Sequence, residues 1–169
     1  MNSIEDLIRT AGLVLREAPT HADRDAVRRM VSESGFFTEA EADVAVELIE
    51  ERLAKGSASG YDFIFVEADG SVVGYACYGE IPCTVGSYDL YWVAVDKSHQ
   101  RRGIGRLLVE LVEARLRERG ARKVYIETSS KPLYDPTRAF YARCGYREVA
   151  AFPDFYAPGD GKVVYEKTL

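Results

Sequence analysis

The segment from residue 90 to residue 105 constrains the fold more than any other part of the sequence. It consists of an almost entirely apolar strand, a short polar turn, and two glycines, Gly103 and Gly105, at the start of an amphipathic helix. A strand without polar alternation is typical of a sheet that is covered on both faces. A strand that leads directly into a helix is typical of α/β architecture. The segment therefore predicts a central sheet flanked by helices.

The rest of the chain alternates between strand and helix periodicity. Asp69-Gly70 between two strand-like runs indicates a hairpin, and Thr20/Asp23 and Thr38/Glu41 have the spacing of capping boxes at two helix starts. Asp135-Pro136 predicts an N-cap followed by proline at the first position of a short helix. The resulting order, βααβββαβαββ, predicts a mixed α/β fold with one central sheet. The predicted strands are 12–18, 61–67, 72–80, 88–95, 123–128, 146–152 and 163–167, and the predicted helices end near residues 35, 56, 120 and 145.

Length and composition narrow the class of protein. The 169 residues predict a single domain over 1–169, with a core of about 11–169 and a short N-terminal helical extension over 1–10. No apolar stretch approaches the ~20 residues of a membrane span, and the N-terminus lacks a secretory apolar region. We therefore expect a cytoplasmic protein that does not insert into membranes. The net charge of −5 disfavours nucleic-acid binding.

The three cysteines have no metal-ligand spacing. Cys77, Cys83 and Cys144 form no CxxC pair and have no neighbouring histidine. An odd number of cysteines without such spacing suits a reducing compartment and argues against a zinc site or a disulfide framework. We expect no bound metal.

The turn from residue 100 to residue 106 is a candidate anion site. A helix start presents backbone N–H groups without partners and the positive end of the helix dipole. Glycine lacks a Cβ, so a pyrophosphate can approach the backbone closely at Gly103 and Gly105. Arg101, Arg102 and Arg106 add positive charge. Neither the Rossmann pattern nor the P-loop pattern is present.

These residues resemble a known family. Gln100-Arg-Arg-Gly-Ile-Gly105 is similar to the signature of the GCN5-related N-acetyltransferases (GNAT), and the strand before it and the segment from Phe140 to Tyr146 match two further regions of the pattern. The βααβββαβαββ order is also that of the family. The resemblance implies an N-acetyltransferase that transfers acetyl from acetyl-coenzyme A to a primary amine by direct nucleophilic attack.

The resemblance also implies which residues bind the cofactor. Main-chain groups of the strand would hold the pantetheine arm where two parallel strands splay apart, and the Val93 N–H would polarise the thioester carbonyl. The amides of the turn would bind the pyrophosphate. The implied cofactor-binding residues are Val93, Ala94 and Val95 on the strand, and Arg101, Arg102, Gly103, Ile104, Gly105 and Arg106 at the turn.

Two catalytic residues follow from the same resemblance. Tyr141 matches the tyrosine that protonates the departing thiolate, and a phenol with a pKa near ~10 is protonated at neutral pH. Glu127, on the strand before that helix, matches a glutamate that acts as a general base through water in some members. Asp89 or a water chain are the alternatives for the base. Cys144 as a covalent nucleophile is disfavoured, because a small residue at a helix end has a structural explanation.

The acceptor is an amine on a small molecule or on a protein or peptide. Residues 129–136 and 154–160 are the two segments expected to face it. The second mixes acids with aromatic residues, which suits an ammonium by charge pairing and cation–π contact, although an ordinary hairpin turn, with Asp160 there for turn chemistry, is the favoured interpretation. A noncatalytic acyl-coenzyme A-binding sensor or regulatory domain is the alternative function. The sequence leaves the oligomeric state open, a homodimer included.

Overall fold

The computed structural model describes residues 8–169, and its elements follow the predicted order. The strands form one seven-stranded mixed sheet in the order β1-β2-β3-β4-β5-β7-β6, which confirms the predicted α/β class. None of the helices in the described part of the chain is both long and apolar enough to cross a membrane. The elements are β1 (Leu13–Arg16), α1 (Asp23–Glu33), α2 (Glu39–Lys55), β2 (Asp62–Ala68), β3 (Ser71–Glu80), β4 (Ser87–Val95), α3 (Ile104–Glu118), β5 (Lys123–Ser129), α4 (Asp135–Arg143), β6 (Arg147–Ala157) and β7 (Asp160–Thr168).

The pairing of β4 with β5 is parallel, because α3 carries the chain back along the sheet between them. The register joins Ser87–Asp89 to Lys123–Tyr125, whereas β4 itself continues to Val95. The β1–β2, β2–β3, β5–β7 and β6–β7 pairs are antiparallel. The β2–β3 hairpin turns at Asp69-Gly70 with positive φ at both residues, as predicted.

The chain packs as two compact units. The first comprises the described residues up to Gly79 together with Trp92–Val112, and the second comprises Glu80–Tyr91 and Glu113–Leu169. A single domain over residues 1–169 stays a prediction. Of the predicted N-terminal helix over 1–10, residues 8–10 are helical and residues 1–7 lie outside the described residues.

The core of the first unit forms where α1 and α2 cover β2 and β3. Phe65 stacks on Phe63 and on Tyr75, with ring centroids 5.7 and 6.2 Å apart, and Phe37 contacts Trp92 at 4.8 Å. Aliphatic side chains from both helices complete this core. They are Val27, Met30, Val31, Ala42, Ala45 and Ile49.

One of the two predicted capping boxes is formed and the other is not. At α2 the Thr38 hydroxyl accepts from the Glu41 N–H and the Glu41 carboxylate accepts from the Thr38 N–H. The Thr20/Asp23 prediction is wrong: α1 begins at Asp23, whose buried carboxylate accepts two hydrogen bonds from the Arg16 guanidinium at 2.8 Å. Burial alone would raise the pKa of Asp23, but Arg16 lowers it below its ordinary value. The carboxylate also accepts from the Thr20 N–H at 2.6 Å, but the Thr20 hydroxyl donates to it at 3.1 Å instead of accepting from the Asp23 N–H, so a tertiary ion pair joins an incomplete box.

The β6–β7 hairpin of the second unit is longer than predicted. β6 extends to Ala157 instead of residue 152, and β7 begins at Asp160 instead of residue 163. The turn uses Gly159 at φ 80°. The sequence concealed this length because Pro153 and the acidic residues resemble a loop, whereas they occupy an irregular strand with a register shift between Phe152 and Ala157.

Two further sequence expectations need correction. Asp135 is not an N-cap but the first residue of α4, where its carboxylate pairs with Arg138. β4 is not covered on both faces: Tyr88 and Ala94 are buried, whereas Tyr91 on the opposite face is 39% exposed. Successive side chains of a strand point to opposite faces. The side of β4 that carries Asp89, Tyr91, Val93 and Val95 is therefore open or half-buried.

Gly74 on β3 sets how closely α3 approaches the sheet. A Cβ at this position would lie 2.9 Å from Ile104 Cγ2, 3.2 Å from Leu108 Cδ1 and 3.4 Å from the Ala94 carbonyl oxygen. Ile104 is 5% exposed and β-branched, so its side chain has little freedom to move away. The first turn of α3 thus rests directly on the backbone of β3 and β4.

We expect Gly74→Val to lower the free energy of unfolding by about 1–3 kcal/mol, because it overpacks this contact. Urea denaturation measures the effect. Ser71→Val on the same strand is exposed and serves as the control, since it adds the same side chain without crowding. Equal stability of the two variants would contradict the close contact at Gly74.

Candidate functional site

The turn before α3 has the backbone of an open anion cradle. Arg101 and Gly103 have φ values of 61° and 84°, in the left-handed region. The Gly103 carbonyl accepts the first helical hydrogen bond, from the Leu107 N–H at 2.9 Å. No atom lies within 4 Å of the position that a Cβ on Gly103 would occupy. The backbone here is therefore accessible, and a glycine suits its conformation.

The polar groups of this turn include donors without partners. The amides of Gly103, Ile104 and Gly105 fall at the helix start, where N–H groups lack intrahelical acceptors, and no hydrogen bond from them forms within residues 8–169. The exposed side chains of Arg101 and Arg102 form no hydrogen bond or ion pair within the same residues. These donors suit a diphosphate.

Two of the predicted cofactor-binding residues have other side-chain roles. Arg106 forms an ion pair with Glu110 at 2.8 Å, so its guanidinium is already neutralised along the helix. The Ile104 side chain is buried against Gly74. Any contribution of Ile104 to the cradle comes from its main chain.

The sequence did not reveal the groups that hold the turn in place. The Asp96 carboxylate accepts from the Ser98 N–H at 3.0 Å, and the Asp96 N–H donates to the Val73 carbonyl at 2.8 Å. The hydrogen bonds from Ser98 lower the pKa of Asp96 below its ordinary value. Gln100 donates through Nε2 to the Val95 carbonyl at 3.2 Å. The Asp-x-Ser spacing is the signal that could have identified this support.

Tyr141 in the second unit has the environment of a protonated phenol. Its side chain lies on α4, only 8% of the residue is exposed, and its ring contacts those of Phe140 and Tyr146. Burial, together with the nearby Cys144, raises the pKa of Tyr141. Its hydroxyl forms no hydrogen bond within residues 8–169. The hydroxyl is thus a donor at neutral pH without a protein acceptor.

Cys144 and Tyr146 follow α4 and have structural surroundings. The Cys144 carbonyl accepts from Lys167 Nζ at 2.8 Å, and the same ammonium binds both oxygens of Glu113. Tyr146 is 4% exposed, and burial together with the neighbouring Glu113 carboxylate raises the pKa of its phenol. These contacts anchor the end of α4 to β7.

Three carboxylates on one face of the second unit differ in how their charge is compensated. Glu166 binds Lys123 at 2.8 Å and Arg147 at 3.0 Å, and these cations lower its pKa to about 2. Glu127 pairs with Lys162 at 3.1 Å. Asp89 forms no hydrogen bond or ion pair within residues 8–169, and burial, followed by the charge of Glu127, raises its pKa to about 6. Of these three carboxylates, Asp89 alone has no ion pair in the described part of the chain, and the charge of Lys162 only partly offsets the rise in its pKa.

The acids of the two predicted acceptor segments are engaged locally. Asp160 accepts from Ser129 and pairs with Lys131, and Asp154 accepts from the Gly159 N–H at 2.7 Å. The Asp160 contacts join the two predicted acceptor segments to each other, so this carboxylate already has a cationic partner. The aromatic residues Phe155 and Tyr156 are instead about half exposed.

The predicted site residues are divided between the two units. Val93, Ala94, Val95 and residues 101–106 belong to the first unit, whereas Tyr141, Glu127 and Asp89 belong to the second. In the first unit, the predicted residues lie on the end of β4 and at the start of α3. In the second unit, they lie on β4, β5 and α4.

The raised pKa of Asp89 gives stability a pH dependence. Because the folded-state pKa of about 6 exceeds the unfolded value of ~3.9, the folded state binds this proton more tightly. The contribution of this proton to the free energy of unfolding is complete below about pH 4 and is lost as the pH rises through 6. We therefore expect Asp89→Asn to gain stability relative to wild type between pH 4 and pH 7, as measured by urea denaturation.

The Glu127→Gln background is the control for this effect. Removal of the Glu127 charge lowers the pKa of Asp89, so the pH-dependent gain should become smaller. A stability difference between Asp89→Asn and wild type that stays constant from pH 4 to pH 7 would contradict the assignment.

Comparison with known proteins agrees with this geometry. Residues 16–146 match the acetyltransferase (GNAT) family. The crystal structure of a Desulfovibrio desulfuricans protein assigned to the GNAT family is 44% identical, with a TM-score of 0.90 over 92% of this chain and 98% of that chain. An N-acetyltransferase from Thermoplasma acidophilum, solved with coenzyme A, shares the fold at 15% identity, with a TM-score of 0.71 over 93% of this chain and 99% of that one.

A curated relative is similar over a shorter segment. An uncharacterised N-acetyltransferase from Chlorobaculum tepidum is 34% identical over 88 residues, which are 52% of this chain. The match spans about half of that relative's length, 51%. The family match covers more than half of the chain, and the resemblance noted from residues 100–105 is confirmed. The chain belongs to the acetyltransferase (GNAT) family.

Proposed function

We propose that this protein is an N-acetyltransferase that transfers acetyl from acetyl-coenzyme A to a primary amine by direct attack. The single observation that supports it most is the open turn before α3, where Gly103 exposes its backbone beside two arginines without partners. The same turn lies at the start of a helix, where the dipole favours an anion. Membership of the GNAT family supports the reaction class.

The residues present fit the diphosphate of coenzyme A. The amides of Gly103, Ile104 and Gly105 would donate to its oxygens, and Arg101 and Arg102 would supply the countercharge. Arg106 would add little countercharge to the diphosphate unless its ion pair with Glu110 broke. A thioester bound here supplies an activated acetyl group, and the protein's task is to orient it and to manage the protons.

The edge of β4 supports binding of the pantetheine arm. The parallel register with β5 ends at the Asp89–Tyr125 pair, although β4 continues to Val95. Backbone groups beyond a ladder need other partners, and an amide-containing arm can provide them. The N–H of Val93 is the proposed donor to the thioester carbonyl oxygen, where negative charge develops during attack.

Tyr141 is the proposed general acid. A thiolate leaves more readily when a donor protonates it, and the buried Tyr141 hydroxyl stays protonated and has no protein acceptor to compete. The amine must first lose a proton, since most free amines are ammonium at neutral pH. Glu127, acting through water, is the proposed base, and Asp89 is the alternative because a pKa of about 6 leaves it ionised but basic near neutrality.

Gly103→Glu should weaken coenzyme A binding by about 100-fold or more, because it places negative charge where the diphosphate is expected. Isothermal titration calorimetry with coenzyme A measures the change. Gly60→Glu is the matched control: Gly60 has φ 78° against 84° at Gly103, and no atom surrounds either Cβ position within 4 Å. Wild-type affinity in Gly103→Glu would show that the cradle is not the coenzyme A site.

Tyr141→Phe should retain coenzyme A binding and lower kcat by roughly 10²–10³-fold, the range expected when a general acid is removed. Coenzyme A release in the presence of an amine panel measures the rate. Tyr146→Phe is the matched control, since it removes a buried hydroxyl from the ring that contacts Tyr141. Equal rates in wild type and Tyr141→Phe would show that Tyr141 is not the general acid. If the wild type bound acetyl-coenzyme A but released no coenzyme A with any amine, the noncatalytic sensor would be favoured.

A further inference from the structure

One face of the second unit carries a continuous strip of aromatic and charged side chains. Cα partners on neighbouring strands share a face, as do residues two apart on one strand. The register therefore places Asp89 with Tyr125 and Glu127 on one face, and Lys162 with Ser129 and Phe152 on the same face. The strip runs from β4 through β5 and β7 to β6.

The aromatic end of the strip is both exposed and rigidly supported. Phe152, Phe155 and Tyr156 are 47%, 54% and 49% exposed, and their rings contact one another in sequence. Lys162 lies beneath them with its ammonium 4.1 Å from the Phe155 centroid and 5.5 Å from that of Phe152. Its side chain is only 16% exposed. Exposed aromatic patches of this kind mark binding surfaces in soluble proteins.

The backbone beneath the rings has little freedom. A Cβ on Gly161 would lie 2.8 Å from the Phe152 carbonyl oxygen, so β6 and β7 approach more closely here than a side chain would allow. Gly161 also exchanges two hydrogen bonds with Ser130, at 2.7 and 2.8 Å. The aromatic surface is therefore preorganised, which limits the entropy lost when a ligand binds.

The charged end of the strip has one negative charge in excess. Lys162 pairs with Glu127 at 3.1 Å and also acts through space on Asp89, so two carboxylates share this one cation. A primary ammonium would supply the missing charge. The short contacts of Lys162 to Glu127 and to the Phe155 ring show that the Glu127 carboxylate and the aromatic surface lie within reach of one small molecule.

We propose that this strip binds the acceptor and that the acceptor is an arylalkylamine: an ammonium at Asp89 and Glu127, and an aromatic or bulky apolar body against Phe152 and Phe155. This inference rests on the proposed N-acetyltransferase function and narrows its acceptor class. Polyamines and aminoglycosides carry several charges and no apolar body, so they would leave the aromatic surface in water. A second copy of the chain on the same surface is the competing occupant.

Three matched probes test the proposal on the purified full chain. They are 2-phenylethylamine, which has ring and ammonium, butylamine, which lacks the ring, and 2-phenylethanol, which lacks the charge. NMR titration at pH 7.5 gives each Kd independently of turnover. We expect 2-phenylethylamine to bind at least about tenfold more tightly than either of the others, a difference that one aromatic contact can provide. Equal affinities would overturn the proposal.

Two variants locate the contacts. Phe155→Ala should weaken the binding of 2-phenylethylamine about tenfold and leave that of butylamine unchanged. Asp89→Asn should weaken the binding of both amines and leave that of 2-phenylethanol unchanged. Val14→Ala, at a position that is 58% exposed on β1 in the first unit, is the control. Light scattering accompanies each variant. A change of molecular mass in Phe155→Ala without a change in ring selectivity would assign the surface to an interface between copies and overturn the proposal.

Coenzyme A release with the same amines separates this proposal from the one on which it rests. Turnover of amines without preference for 2-phenylethylamine would overturn the acceptor assignment and leave the acetyltransferase function standing. Selective binding of 2-phenylethylamine without release of coenzyme A from any amine would support the binding surface and reject the proposed catalysis.

Discussion

The close approach of α3 to the sheet at Gly74 is the constraint on which the candidate cofactor site depends. Because β3 has no side chain at this point, Ile104 and Leu108 pack against the strand backbone. Ile104 is the first residue of α3, so the same contact fixes where the helix begins. The exposed amides and arginines of residues 101–105 occupy a defined position because the next residues are buried. A packing interaction thus positions a polar turn that has few contacts of its own.

Support for that turn comes from its other end as well. Asp96 joins the end of β4 to β3 through its N–H and closes the following 3₁₀ turn through its carboxylate. Gln100 reaches back to the Val95 carbonyl. Gln100 of the family signature therefore connects the turn to the end of β4 by a hydrogen bond, and Gly103 leaves the turn's backbone open to a ligand. Each part of the signature has a separate physical reason.

Charge compensation distinguishes the acidic residues of the second unit. Glu166, Glu127 and Asp89 are chemically similar, yet within residues 8–169 they form two ion pairs, one, and none respectively. A carboxylate that is half-buried without a cation costs free energy. Proteins often accept such a cost where a ligand restores the balance. The excess of carboxylates over the single cation Lys162, on a face that also carries exposed aromatic rings, is the basis of the proposed preference for an amine with an apolar body.

The sequence by itself determined the order of elements, the mixed sheet, the Asp69-Gly70 hairpin, the Thr38 capping box and the glycine-containing turn before α3. All of these are local: they depend on periodicity, on glycine conformation and on side chains that bond a few residues away. Only the tertiary structure decided which ionic groups have partners. Asp23 binds the distant Arg16 as well as Thr20, Arg106 is neutralised by Glu110, Lys162 pairs with Glu127, and the β6–β7 hairpin extends through a segment whose proline and acids suggest a loop. Apart from the Arg106 pair, which lies within one helix, these outcomes depend on residues that are distant in the chain, because burial and long-range charge are set by packing that no local pattern specifies.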